Sequence, residues 1–248
     1  ISRWKDISRK MKLVFHGEGI ISQFEGYDQL QELDWEGYKK KYGDIRRLDR
    51  ILEAEGDSCN CYKASKQADV LMLFYLFSAE HLQKLFAQIG YTLEPDTIPK
   101  NIDYYLKRTS NGSSLSHVVH SWVATRRNRR HSWDLFEEAL KTDICDIQGG
   151  TTAEGIHLGA MSGSVDIVQR GYTGLEARGD LLRLNPAFPD ELWRVNFHLR
   201  YRGHWLDLDI YDNRLKIEAL QCGARSIKIQ VKDQVYNVEE GRTIECEL

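Results

Sequence analysis

No apolar run in this chain approaches the roughly 20 residues a helix needs to span a bilayer. The longest, Val70–Phe77 with its flanks, reads instead as a buried helix. No signal peptide is legible at the start, and the first residue is Ile1, which suits a chain that begins inside a longer gene product. An excess of positive charge is missing too: the net charge is −3 and the isoelectric point near 6.3, which argues against nucleic acid as the main partner. The one basic run, Arg126-Arg127-Asn128-Arg129-Arg130, lies between two helical patterns and reads as a solvated loop. Cysteine is scarce and unpatterned. Cys59, Cys61, Cys145, Cys222 and Cys246 are odd in number, and Cys59-Asn60-Cys61 has no second pair at zinc-ligand spacing. That excludes a disulfide framework and a structural metal, and it suits free thiols in a reducing, cytoplasmic compartment.

What is present is an ordinary globular balance over 248 residues, 42% hydrophobic and 29% charged. The hydrophobic period changes near residue 178. Before it, helical spacing dominates: short helices at Trp35–Tyr42 and Leu48–Glu55, a buried helix at Ser65–Phe77, an amphipathic one at Glu80–Ile89 closed by Gly90, then Asn101–Lys107, Ser114–Thr125, Ser132–Leu140 and Glu154–Tyr172. After Gly179 the period falls to two. Strands are expected at Arg194–Tyr201, Trp205–Tyr211, Leu215–Ala219, Ser226–Val231, Val235–Val238 and Thr243–Glu247, with turns at Arg202-Gly203 and Asp212-Asn213. The expected organisation is a helical domain over 1–178 and an antiparallel two-layer β domain over 179–248. The helices come as sequential pairs, as in an α-hairpin toroid, but too few to close one, so the helical part reads as a fragment.

Four groups of residues carry chemistry. Gln148-Gly149-Gly150-Thr151-Thr152-Ala153-Glu154-Gly155-Ile156-His157 has Thr151 and Glu154 at capping-box spacing, so a helix is expected to start at this glycine turn, with free N–H groups suited to an anion and His157 one turn inside. Its plain alternative is a turn plus a core histidine, and the recurrence of Gly155, Gly159 and Gly163 reads as close helix packing. Thr109-Ser110-Asn111-Gly112-Ser113-Ser114-Leu115-Ser116 is a second hydroxyl-rich cup opening a helix, or simply an N-cap. Ser65-Lys66-Gln67-Ala68-Asp69 brings costly polar groups to the most apolar helix, where they pair, snorkel or hold sugar hydroxyls. Glu18 with Gln23-Phe24-Glu25-Gly26-Tyr27 suits a sugar-lined cleft. His117 and His120, three apart, lack a carboxylate partner and read as core or surface histidines.

These segments resemble glycoside hydrolase family 65. The resemblance rests on Gly149–Met161, on Val165-Asp166-Ile167-Val168-Gln169-Arg170-Gly171-Tyr172, on Leu48–Asp57, on Ser65–Leu71 and on Gln23–Tyr27, in order over nearly the whole chain. It implies the C-terminal part of an (α/α)6 barrel followed by a small β domain. It implies inverting phosphorolysis: inorganic phosphate attacks the anomeric carbon of an α-glucoside disaccharide and β-glucose 1-phosphate leaves, with no cofactor. One carboxylic acid then suffices where a hydrolase uses two. By motif, Lys66 and Gln67 hold the glucosyl unit, and Ser113, Ser114 and His157 hold phosphate beside the Thr151-Thr152 loop. The partners so implied are the disaccharide, phosphate, the N-terminal part of the chain's own barrel and a second copy in a homodimer.

Two departures qualify this. The family's general-acid glutamate lies in an earlier barrel segment, so no catalytic residue is expected here and the chain alone should be inactive. Asn111 stands where many members have histidine, keeping hydrogen bonds but losing a positive charge. Two alternatives remain: a hydrolase of the same family, with Glu154 or Glu18 as base, and a non-catalytic sugar-binding paralogue.

Overall fold

A computed structural model describes residues 1–146, 151–220 and 223–248. Gln148, Gly149, Gly150 and Cys222 lie outside them, as do the side chains of Thr151 and Glu154. The described chain divides into two compact units, Ile1–Met161 and Ser162–Leu248.

The first unit is helical. Its elements are α1 (Ser2–Arg9), a two-residue antiparallel ribbon of β1 (Phe15–His16) and β2 (Ile20–Ile21), α2 (Trp35–Tyr42), α3 (Leu48–Ala54), α4 (Asp69–Leu76), α5 (Ala79–Gln88), α6 (Thr97–Leu106), α7 (Ser114–Ala124) and α8 (Arg129–Lys141). The helix α9 (Leu158–Asp166) crosses the boundary between units and runs into a π-helical turn at Ile167–Tyr172. Local chemistry sets most ends. Asp34, Ser78 and Asn128 accept N–H bonds from the first turns of α2, α5 and α8. Gly90 follows α5 at φ 86°, the left-handed conformation that suits glycine after a helix. Pro99 sits in the first turn of α6, where its missing N–H costs nothing.

The strongest pairing is the α7–α8 hairpin. Ser121 Oγ donates to the Ser132 carbonyl and Ser132 Oγ to the Ser121 carbonyl, both at 2.8 Å and both buried. A small hydroxyl at each position lets the helices approach closely while satisfying itself. α4 packs against α6 and α7; Val70, Leu71 and Phe74 of α4 and Val118, Val119 and Val123 of α7 are all buried.

Three expectations are corrected. The buried helix begins at Asp69 rather than Ser65, because Ser65 is drawn into a backbone bridge described below and Lys66-Gln67 form a bend after it. The helix expected over Glu154–Tyr172 is broken: Thr151–Glu154 is a 3-10 turn, Gly155 stands at φ 136°, and α9 starts only at Leu158. His157 therefore precedes its helix instead of lying one turn inside, and Gly155 does not belong to the small-residue stripe. The basic run is half helical, since Arg129 and Arg130 form the first turn of α8, while Arg127 pairs with Asp103 and Arg126 donates to the Phe77 carbonyl.

The second unit holds β3 (Glu176–Arg178), β4 (Leu181–Leu184), β5 (Arg194–Tyr201), β6 (His204–Tyr211), β7 (Arg214–Ala219), β8 (Ile227–Val231), β9 (Gln234–Val238) and β10 (Thr243–Glu247). They form two four-stranded sheets, ordered β10-β7-β6-β5 and β3-β4-β8-β9. Period-two alternation is legible in the burial: Leu206, Leu208 and Ile210 point inward from β6, Leu215, Ile217 and Ala219 from β7, and Ile227, Ile229 and Val231 from β8 into the same core. Both expected turns are two-residue hairpins with left-handed φ at each position: 48° and 92° at Arg202-Gly203, 45° and 59° at Asp212-Asn213. The sheets are not wholly antiparallel, because β4 pairs with β8 in parallel. β3 and β4 escaped the sequence reading; they are short and joined by Gly179-Asp180.

Leu208 is fully buried between the two sheets. Leu208→Ala is expected to lower unfolding stability by about 2–5 kcal/mol, read from urea denaturation followed by tryptophan fluorescence; a change within error would place Leu208 outside the core.

Candidate functional site

The site is organised by a short stretch of backbone pairing inside the helical unit. Ser65 and Thr109 form a parallel bridge: the Ser65 N–H donates to the Arg108 carbonyl and the Ser110 N–H to the Ser65 carbonyl, each at 2.9 Å. The bridge lays Ser65-Lys66-Gln67 alongside Thr109-Ser110-Asn111. Ser116 Oγ closes the other end by donating to the Lys66 carbonyl at 3.1 Å. The sugar-type pair and the hydroxyl cup of the sequence analysis are thereby one structure.

Within it, Gly112 is pressed against a neighbouring loop. A Cβ there would lie 2.2 Å from the Arg46 carbonyl oxygen and 3.2 Å from Lys66 Cγ. Glycine is needed for approach, not for φ. The preceding Asn111 takes φ 56°, a left-handed conformation that asparagine tolerates better than most residues. Its Oδ1 is buried with no hydrogen-bond partner among the described residues. Ser113 is the N-cap of α7 in extended conformation, yet its hydroxyl makes no capping bond. A cap that does not cap leaves first-turn N–H groups and a hydroxyl for something else. Lys66 is exposed and its stem runs past Gly112; its charge also helps hold the Asp49 carboxyl below the usual range, after the larger effect of Arg47. Gln67 Nε2 lies 3.3 Å from Met72 Sδ, a weak partner.

Gln23 proves to be scaffolding. Its Nε2 donates to Ser65 Oγ at 2.6 Å and its Oε1 accepts the Asp69 N–H at 3.0 Å, so it caps α4, whose own N-cap Ala68 has no side chain for the task. Tyr27 is buried beside Tyr105, Phe24 is exposed with Tyr27 edge-on, and Glu25 pairs with Lys12 at the surface. Glu18 is exposed. The expected sugar cleft from Glu18 to Tyr27 is thus a capping and core segment.

His157 is held from outside the motif that announced it. Its Nδ1 is 2.6 Å from Asp143 Oδ1 and its backbone N–H donates to Asp143 Oδ2 at 2.9 Å. Asp143 stands in the turn after α8; its side chain is 9% exposed, against 26% for His157. The hydrogen bond from His157 keeps the Asp143 carboxyl below the usual carboxylate range. Asp146 performs a related task, accepting the Thr152 N–H at 3.3 Å. The capping box expected from Thr151 and Glu154 rests on side chains outside the described residues; the N–H groups of Thr152 and His157 are taken by these two aspartates. Both were missed in the sequence, where Asp143 lies 14 residues from His157 and no local spacing rule links them. The segment reaches the cup through α9: a Cβ on Gly159 would lie 3.8 Å from Leu115 Cδ1, in the first turn of α7.

His117 and His120 are core residues. Burial drives His120 down to about 3, and both ring nitrogens of His117 lack hydrogen-bond partners among the described residues. The described residues contain no group of three or more His, Cys, Asp or Glu able to hold a metal, and their four cysteines are free thiols. None of their helices is long and apolar enough to cross a membrane.

Residues 1–166 match the central catalytic domain of glycosyl hydrolase family 65 and residues 175–238 match that family's C-terminal domain. The chain belongs to glycosyl hydrolase family 65. It is 51% identical over 243 residues to an uncharacterised glycosyl hydrolase of Mycobacterium tuberculosis, a match covering 98% of this chain and 18% of that protein. It is 35% identical over 220 residues to the trehalose 6-phosphate phosphorylase of Lactococcus lactis, covering 88% of this chain and 29% of the enzyme. A solved human-microbiome protein described as a kojibiose phosphorylase superposes with a TM-score of 0.77 at 23% identity, over 100% of this chain and 34% of its own. The chain thus spans between about a fifth and about a third of the length of these relatives.

Gly112→Ala is expected to force apart the Arg46 loop and the cup, because the obstructing atom is backbone and cannot swing away. The cost should be about 1–3 kcal/mol, the range for overpacking, measured by thermal or urea unfolding. An unperturbed, equally stable variant would show that the approach is loose.

Proposed function

We propose that this chain is the C-terminal portion of an inverting α-glucoside phosphorylase. The observation that carries the reading is the cup itself. Asn111 with its unpartnered buried oxygen, the uncapping Ser113 hydroxyl and the first turn of α7 are laid beside Lys66-Gln67 by the Ser65–Thr109 bridge. A buried acceptor left without a partner, such as Asn111 Oδ1, is costly unless a ligand such as a sugar hydroxyl donates to it. An oxyanion fits the donors at the helix start and a sugar hydroxyl fits the Lys-Gln pair. Lys66 and Gln67 then hold the glucosyl unit; Ser113, Ser114 and His157 hold phosphate, with Thr151 and Thr152 nearby. Phosphorylase relatives support the assignment, and the helical unit is taken as part of an (α/α)6 barrel completed by residues upstream.

In the reaction, a phosphate oxygen forms the new bond at the anomeric carbon as the glycosidic C–O bond breaks. The general acid, placed upstream of this chain, protonates the leaving oxygen. Phosphate is co-substrate, no cofactor takes part, and the enzyme is cytoplasmic and works as a homodimer. The hydrolase alternative needs a base carboxylate near the cup; Glu18, exposed on the segment after β1, gives it no support.

The full-length protein should release β-glucose 1-phosphate from an α-linked disaccharide (kojibiose, trehalose and trehalose 6-phosphate being the first to try) only when inorganic phosphate is present. Free glucose released at the same rate without phosphate would sink the proposal in favour of hydrolysis. The 248-residue chain alone should not turn over; activity there would refute an upstream proton donor.

A further inference from the structure

The Asp143–His157 pair has a chemical consequence beyond holding a loop. An ionised carboxylate can only accept hydrogen bonds. Asp143 is ionised at neutral pH, being held below the usual range by the bond from His157. The proton in the 2.6 Å contact therefore sits on Nδ1 of His157, and the tautomer is fixed. Both carboxylate oxygens are committed to the same residue, one to the ring and one to its backbone N–H at 2.9 Å, so ring and main chain are fixed together. Nε2 is left as the single ring nitrogen that can meet a ligand. With a neutral ring it accepts a hydrogen bond; when the ring takes a second proton from solvent it donates one, with the Asp143 charge beside it to balance the imidazolium.

We propose that Asp143 is a positioning residue that turns His157 into a one-ended, proton-carrying clamp for a phosphate oxygen. The proposal rests on the anion reading of the cup. It also gives a physical account of how a site with Asn111 instead of a histidine holds an anion: the Asp143 carboxylate, which does not itself touch the anion, fixes the His157 ring with Nε2 left to meet a phosphate oxygen.

The experiment is ring 15N NMR on histidine-labelled protein, with the His157 signals identified by their loss in His157→Gln, combined with titration of inorganic phosphate. The wild-type ring should show a protonated Nδ1 and a bare Nε2 above neutral pH, and phosphate should move Nε2 toward the protonated position. In Asp143→Asn the amide oxygen still accepts the His157 N–H, so the fold is retained, but the amide N–H now donates to Nδ1 and the ring proton moves to Nε2. Phosphate affinity should then fall about tenfold, because the ring loses the carboxylate that supports a proton on both nitrogens when the anion is bound, and an ionised donor is replaced by a neutral one. In the full-length enzyme the same variant should raise KM for phosphate more than it lowers kcat, and Asp143→Glu, which keeps the charge, should recover part of the loss. A wild-type ring protonated on Nε2, or an Asp143→Asn protein binding phosphate as tightly as wild type, would overturn the proposal. A correct tautomer that phosphate does not perturb would also overturn it, but through failure of the anion reading, since the dyad itself would stand.

Discussion

Everything proposed for the helical unit depends on one parallel backbone bridge. Two hydrogen bonds between Ser65 and its neighbours at Arg108 and Ser110 hold Ser65 outside the helix, and a bend at Lys66-Gln67 follows, so that α4 starts at Asp69 and Lys66 lies beside the cup. Around that bridge the remaining contacts follow: Gly112 against the Arg46 carbonyl, Ser116 to the Lys66 carbonyl, Gln23 to both Ser65 and Asp69. Side chains in such a frame are aimed by main chain on both sides, which suits a constellation that must meet a ligand within fractions of an ångström.

The sequence exposes those parts of this design that are local. The period-two strands β5 and β6 and their two-residue turns were legible because the alternation and the turn residues lie within ten positions of one another. Helices α2, α5 and α7 were legible for the same reason, to within one residue at most ends. The start of α4 was not, because helix propensity at Ser65–Ala68 is overruled by a partner 44 residues away, an override that no window reading can detect. The site shows the same division. Ser113 and Lys66 are legible as candidates from motif, whereas Asp143 is joined to His157 only through the fold. Gln23 was read as a sugar-cleft residue because amide beside aromatic suits a sugar; the amide is consumed in capping.

The two aspartates after α8 deserve comparison with ordinary capping. Asp143 and Asp146 take the N–H groups of His157 and Thr152 from outside the segment, where ordinary capping works from within it. Placing the acceptors on another element ties the segment to the end of the α7–α8 hairpin, whose closeness is secured by the Ser121–Ser132 exchange. His157 and Thr152 are thus anchored to the end of a closely packed helix pair.

Gln23 has a consequence for how the chain folds. The N-terminus of α4, the most apolar helix, is satisfied only when a residue 46 positions earlier arrives to accept its Asp69 N–H. Closing a loop of that length carries an entropy cost before any reward is gained, so this contact belongs late in the folding sequence. Until then Leu71 and Phe74 form part of a helix whose first turn is open to water. The order of assembly is therefore written into a single glutamine: the helices α7 and α8 can pair from local contacts, while the segment that carries Lys66 and Gln67 is locked only once the N-terminal segment has come home.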